Sequence, residues 1–219
     1  MKYIRKSSPP GELITWQHTW VKDKSGKPIN CAYDEMPSEV REAVKKSLVK
    51  EQGGLCCYTG HRVTPETSHI EHLKPQAQCV DHEDTDYGNL LAAYPGPNKS
   101  RQEYGAHVKD AWYNKDAFIS PLKPDCESRF HFRGNGKITA ANTTDQPAIT
   151  TIQKLSLDHS QLVKLREARI QEILFEENLT TKNIERLVAA MDKPDGNGNF
   201  YEFCFAIKQV GLKMLKQRK

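Results

Sequence analysis

Long hydrophobic runs are missing from this 219-residue chain. None approaches the ~20 apolar residues that a membrane-spanning helix needs, so no such helix is expected. The opening MKYIRKSSPPGEL carries charge with no apolar stretch behind it, which argues against a secretory leader and for a cytoplasmic protein. A cysteine framework is missing too. Cys31, Cys56, Cys57, Cys79, Cys126 and Cys204 follow no regular spacing, and a chain of this length does not need disulfides, so reduced thiols are expected. Nor is there a large excess of one charge. The net charge is +4, yet Lys2, Arg5 and Lys6 cluster at one end and Lys208, Lys213, Lys216, Arg218 and Lys219 at the other. Such clustering suits a polyanionic partner, although basic helix ends are also commonly just solvated.

What is present is an ordinary globular balance, 37% apolar and 27% charged, enough for a buried core. Residues 1–37, punctuated by Pro9, Pro10, Gly11, Gly26 and Pro28, read as an irregular arm whose Trp16 and Trp20 pack onto the body. From Ser38 to about Gln52, Val40, Val44 and Leu48 recur at helical spacing and Gly53-Gly54 stops the run. Residues 55–75 carry turn signals and predict a short hairpin or an irregular equivalent. Residues 76–98 read as a loop, acidic over 81–86, that leads to Asn98 as the N-cap of a helix reaching about Tyr113. Phe130 to Ile138 alternates around Asn135-Gly136 and predicts a second hairpin. Three helices are expected after Ser160: over about 160–177, after Thr181, and after the Asp195-Gly-Asn-Gly linker. The fold class is therefore α+β, with an arm over 1–37, a central domain over 38–150 and a helical lobe over 151–219.

The chemically informative stretch is Ser68-His-Ile-Glu-His-Leu-Lys-Pro75, followed by Asn89 and Asn98. Hydrolysing a phosphodiester near neutral pH requires a group to take a proton from water, and an imidazole such as His72 titrates in the right range. The charge that gathers in the transition state calls for a hard cation, for which Glu71 and Asn98 offer oxygens. Adjacent strand residues point to opposite faces, so Glu71 and His72 can flank one site only where the strand ends. Asn89 is placed to accept the Nδ1 proton of His72 or to brace the loop. His69 reads as an additional ligand, a group supporting one, or a structural hydrogen-bonder. Lys99 and Arg101, in the first turn of the expected helix, oppose its dipole unless a phosphate binds there. His107 reads as structural, and Cys56 and Cys57 as small buried residues.

The order of hairpin, Glu71-His72, Pro75, Asn89-Leu-Leu, Asn98 and helix resembles the HNH, or ββα-metal, nucleases. HIEHLKP, DYGNLLAAYPGPNKSR, ISPLKPD, FHFRGNGKI and AITTIQKLSLDHSQLVKLREARI are more narrowly similar to the PtuB family, the HNH subunits of Septu-type anti-phage defence, including versions carried with retrons. The resemblance implies an endonuclease acting on DNA or RNA. In it Glu71 is a metal ligand, His72 the general base, Asn89 the orienting amide and Asn98 a helix-borne ligand. Mg²⁺ is the expected ion, with Mn²⁺ the alternative, and His69 is a further candidate ligand. Lys74, Lys99 and Arg101 are the expected phosphate contacts. It also implies an ABC/SMC-like ATPase partner, docked on the exposed remainder of the C-terminal helices, and association with a retron reverse transcriptase and its DNA. Many relatives carry two Cys-x-x-Cys pairs, but here those positions read Cys56, Thr59, Tyr94 and Pro97, so structural zinc is not expected. Two other classes share parts of this pattern. A zinc nucleobase deaminase would match His69-Ile-Glu71, but Pro124-Asp-Cys126 lacks the second cysteine such an enzyme needs. A decayed nuclease serving as a binding or adaptor subunit is the remaining alternative.

Overall fold

The computed structural model describes residues 1–22, 25–26, 28–29, 32–97, 100–175 and 179–218, with no side-chain description at 21, 28 and 29. The fold is α+β; the described residues form helices and three two-stranded antiparallel sheets. Among the described residues no helix is long and apolar enough to cross a membrane.

The N-terminal segment is more ordered than its prolines suggest. Helix α1, Gly11–His18, follows Pro10, buries Leu13 and packs on helix α2, Ser38–Glu51. Met1 and Ile4 are also buried. Trp16 and Trp20 meet edge to face at 5.3 Å, as a packed pair. Strands β1, Val21–Lys22, and β2, Pro28–Ile29, form a minimal ladder. Helix α2 buries Val40, Val44, Leu48 and Val49, the stripe that its four-residue spacing predicts. Gly53 and Gly54, both at positive φ, end it.

The central sheet departs from expectation. Residues 55–75 take the irregular form of the expected hairpin, a tight turn with an antiparallel bridge between Leu55 and Arg62 and the Cys56 N–H bonded to His61 O at 2.8 Å, and their strand does not pair within this stretch. Strand β3, His69–His72, pairs instead with strand β4, Leu90–Ala93, in the register His69↔Ala93 to His72↔Leu90. Leu90-Leu-Ala-Ala93 lies in the stretch expected to be loop. It is buried on both faces, and a short apolar run without alternation is how a doubly covered strand reads. The Gln52 amide, 3% exposed, locks β4 to the end of α2 by bonding both the N–H and the C=O of Ala92.

The expected helix from Asn98 to Tyr113 is likewise corrected. Asn98 and Lys99 lie outside the described residues, and helix α3 is only Ala106–Lys109. Gly105, at φ +74°, breaks the run, and its N–H bonds Leu155 O at 2.7 Å, so a tertiary contact replaces a helical turn.

Strands β5, Phe130–Phe132, and β6, Ile138–Ala140, make the second hairpin. Its Gly136, at φ +73°, could not carry a Cβ, which would sit 2.1 Å from Val163 O. Helix α4, Gln146–Lys154, was not foreseen; the Asp145 carboxylate caps it and also pairs with Arg129. Helices α5, Ser160–Leu174, α6, Thr181–Ala190, and α7, Cys204–Gln217, complete the expected helical set. One apolar cluster draws residues from Met1 through Val210, so arm, centre and C-terminal helices share a core.

Candidate active site

Strand β3 sets the geometry. His69 and Glu71 project to one face and His72 to the other, as strand alternation requires. Because β3 ends at His72, all three still line one cleft of about 530 Å³, whose other wall includes Arg101, Ala106, His107 and Asp110.

The two oxygens of Glu71 have different surroundings. Oε1 is held by Lys109 Nζ at 2.8 Å and by the Tyr58 hydroxyl at 3.1 Å. Oε2 stands 3.8 Å from His69 Nε2. Burial alone would push this carboxyl upward, but His69 and Lys109 outweigh it and hold Glu71 below the usual carboxylate value. Burial keeps the Tyr58 phenol well above its ordinary value, so it remains a donor. Lys109, 1% exposed, also donates to His72 O at 2.9 Å and thereby ties α3 to the end of β3.

His69 and His72 are each fixed through one ring nitrogen. His69 Nδ1 bonds Pro95 O at 2.5 Å, which leaves Nε2 toward Glu71. Burial would lower this imidazole, but Glu71 and the Pro95 carbonyl raise it above the ordinary value. His72 Nε2 donates to Asp84 O at 2.9 Å, and a carbonyl can only accept, so the neutral ring carries its lone pair on Nδ1. Burial pushes His72 down, opposed by the Asp84 carbonyl and the Glu71 charge, and the net shift is downward. Tyr33 meets the His72 ring edge-on at 4.6 Å and is anchored through its own N–H to Asp84 Oδ2.

Asn89 braces the loop rather than touching His72. Its Oδ1 accepts the N–H of Lys74 at 2.8 Å, and Nδ2 donates to the carbonyls of Lys74 and Glu83. Of the two uses foreseen for this amide, the loop brace is the one formed. Arg101 is exposed at the cleft and donates to His107 O. Lys74 pairs with Glu83 and lines a separate pocket, so the structure does not bring it to Glu71. Asn98 and Lys99 lie outside the described residues. Lys109, Tyr58, Tyr33 and Asp84 reach the site from separate elements, and no local pattern marked them.

Among the described residues no group of three or more His, Cys, Asp or Glu could hold a metal. Glu71 Oε2 and His69 Nε2 present two donors toward one another with no hydrogen between them when His69 is neutral. That donor set fits a hard divalent cation that takes one or two protein ligands and fills its remaining positions with water and phosphate. It does not fit a closed tetrahedral zinc site. Cys56 Sγ accepts the N–H of Tyr94 at 3.3 Å.

No protein-family model matches the chain. It is 27% identical, over 167 residues that make up 74% of this chain and 78% of the other, to a protein of Vibrio cholerae serotype O1 biovar El Tor provisionally named the retron Vc95 HNH endonuclease.

Proposed function

We propose that this chain is a metal-dependent HNH endonuclease that hydrolyses phosphodiester bonds in nucleic acid, with β3, β4 and α3 as its ββα core. The observation that carries the reading is the end of β3, where a carboxylate with one oxygen anchored by Lys109 and the other facing His69 lies beside an imidazole tied by Nε2 to a carbonyl. The Vibrio cholerae relative supports the same reading.

In this mechanism His72 Nδ1 takes a proton from water, whose oxygen bonds to phosphorus. The phosphorus–oxygen bond to the departing sugar breaks, and that oxygen gains a proton from solvent. Glu71 Oε2 and His69 Nε2, together with Asn98, would hold a divalent ion, Mg²⁺ by preference and Mn²⁺ as the alternative, which supplies charge neutralisation at the phosphate. Asn89 keeps the loop over 73–89 in place, and Arg101 and Lys99 contact phosphates. The relative's name places it in a retron, and we extend that setting to this chain: an effector of anti-phage defence, acting with an ABC/SMC-like ATPase and a retron reverse transcriptase and its DNA. The division into 1–37, 38–150 and 151–219 belongs to the same reading.

One observation favours a non-catalytic binding subunit instead: Lys109 already occupies one oxygen of Glu71. Nicking of plasmid DNA and cleavage of RNA, with Mg²⁺ or Mn²⁺, separate the two. The wild type is expected to cut, and His72→Ala, Glu71→Gln and an EDTA control to lose at least about a hundredfold. Equal activity in all four samples defeats the catalytic reading. Oligonucleotide binding with no cleavage in any of them, tested alone and with the ATPase, favours the binding subunit.

A further inference from the structure

We propose that His107 is a substrate-binding residue whose Nε2–H donates to a phosphoryl oxygen of nucleic acid in the cleft, an inference that rests on the nuclease reading above. Its tautomer is dictated by a neighbour. The backbone N–H of Gln102 points at His107 Nδ1 at 2.9 Å, and a backbone amide can only donate, so Nδ1 must be unprotonated. The ring hydrogen therefore sits on Nε2. That atom has no hydrogen-bond partner among the described residues, on a half-buried ring that lines the cleft.

The ring is also held in place. It stacks on His69 with centroids 5.5 Å apart and planes 17° from parallel, while Arg101 donates to the His107 carbonyl at 3.0 Å. The cleft thus has two chemically different walls. On the β3 wall, Glu71 Oε2, His69 Nε2 and His72 Nδ1 are electron-pair donors, suited to a cation and a water proton. On the opposite wall, which also carries the Asp110 carboxylate, His107 Nε2–H and the Arg101 guanidinium are hydrogen-bond donors that cannot accept. An anion with several oxygens, as a phosphodiester is, meets the His107 and Arg101 donors on one wall while leaving oxygens for a cation on the other.

His107 could matter merely as the ring that supports His69, and three variants separate the roles. His107→Phe keeps a ring to stack but has no donor, His107→Gln keeps a donor but no ring, and His107→Ala keeps neither. Binding is read by fluorescence anisotropy of a fluorescein-labelled single-stranded DNA oligonucleotide and the RNA of the same sequence. EDTA is present throughout, so neither cleavage nor metal enters, and thermal melts confirm that each variant is folded. For the tighter-binding probe, Kd is expected to rise about tenfold in His107→Phe and His107→Ala and less than about threefold in His107→Gln. Wild-type affinity in His107→Phe, an equal loss in His107→Gln, or no binding of either probe by the wild type overturns the proposal. If His72→Ala abolishes cleavage while His107→Phe binds normally, only this inference falls. If His107→Phe weakens binding but no sample cuts, the phosphate contact stands and the nuclease reading falls.

Discussion

The cleft at the end of β3 and the joint between the β5–β6 hairpin and α5 each bury a cation until it is only 1% exposed, but they satisfy it differently. In the cleft, Lys109 meets a carboxylate, Glu71, whose other oxygen faces His69. In the joint, Arg166 meets carbonyls: Nε bonds Gly136 O at 2.8 Å and Nη2 bonds Leu157 O at 2.7 Å, with the guanidinium 5.6 Å from the Phe132 ring centroid. Burial, only partly offset by Asp158, pushes Arg166 down to about 10, which marks how little counter-charge surrounds it. Arg166 is thus a cross-link that joins turn to helix, whereas Lys109 neutralises a carboxylate that, in the proposed reading, takes part in the chemistry. Two buried cations of equal exposure therefore predict different phenotypes.

The sharpest break in that comparison comes from Arg166→Met. The methionine fills similar space but leaves two buried carbonyls without donors, so a loss of about 3 kcal/mol is expected in chemical denaturation. Oligonucleotide affinity in the folded variant should stay within about twofold of wild type. Altered affinity in folded protein would mean that the joint is not merely structural.

Lys109→Met should cost less, about 2 kcal/mol, because the Tyr58 hydroxyl still bonds Glu71 Oε1. The variant's signature is its response to Mg²⁺. With its buried counter-charge gone, Glu71 has more to gain from a divalent cation, so saturating Mg²⁺ should raise the melting temperature of Lys109→Met more than that of wild type. Equal Mg²⁺ shifts would show that Lys109 does not tune Glu71 toward the proposed cation.

The two regions were also unequally legible in the sequence. Around the joint, α5, the hairpin and α7 followed local patterns: apolar residues at helical spacing and an Asn135-Gly136 turn. Helix α4 escaped although Asp145-Gln-Pro147 is a sound helix start, because its nine residues hold few apolar positions. Around the cleft, His69, Glu71 and His72 stood out because they are contiguous and chemically unusual together. Their partners did not, since Tyr58, Asp84, His107 and Lys109 converge only through the β3–β4 pairing and the break at Gly105. The same two features, both set by long-range packing, misled the reading of 76–98 as loop and of 98–113 as helix. His107, read as structural, has its protonated nitrogen determined by the Gln102 backbone, which no residue spacing reveals.

Glu202 sits between the two regions and gives the smallest expected effect. Its Oε1 takes the Arg62 N–H at 3.0 Å and faces His61 Nδ1 at 3.3 Å, while Oε2 takes Arg169 Nε of α5 at 3.2 Å. Burial would raise this carboxyl, but His61, the Arg62 amide and Arg169 together bring it down to about 2, against an ordinary value of 4.5. A depressed folded-state value means that the unfolded chain binds the proton first on acidification. The stabilisation is therefore full above about pH 5 and drains away as pH falls from about 4.5 toward about 2. Because the carboxylate is only partly buried, solvent screening reduces its worth to about 1–2 kcal/mol. Urea titrations of wild type and Glu202→Gln should differ by that amount near neutral pH and converge toward pH 2. A stability gap that stays constant over that range would mean that the carboxylate charge does not join α5 to the loop before β3.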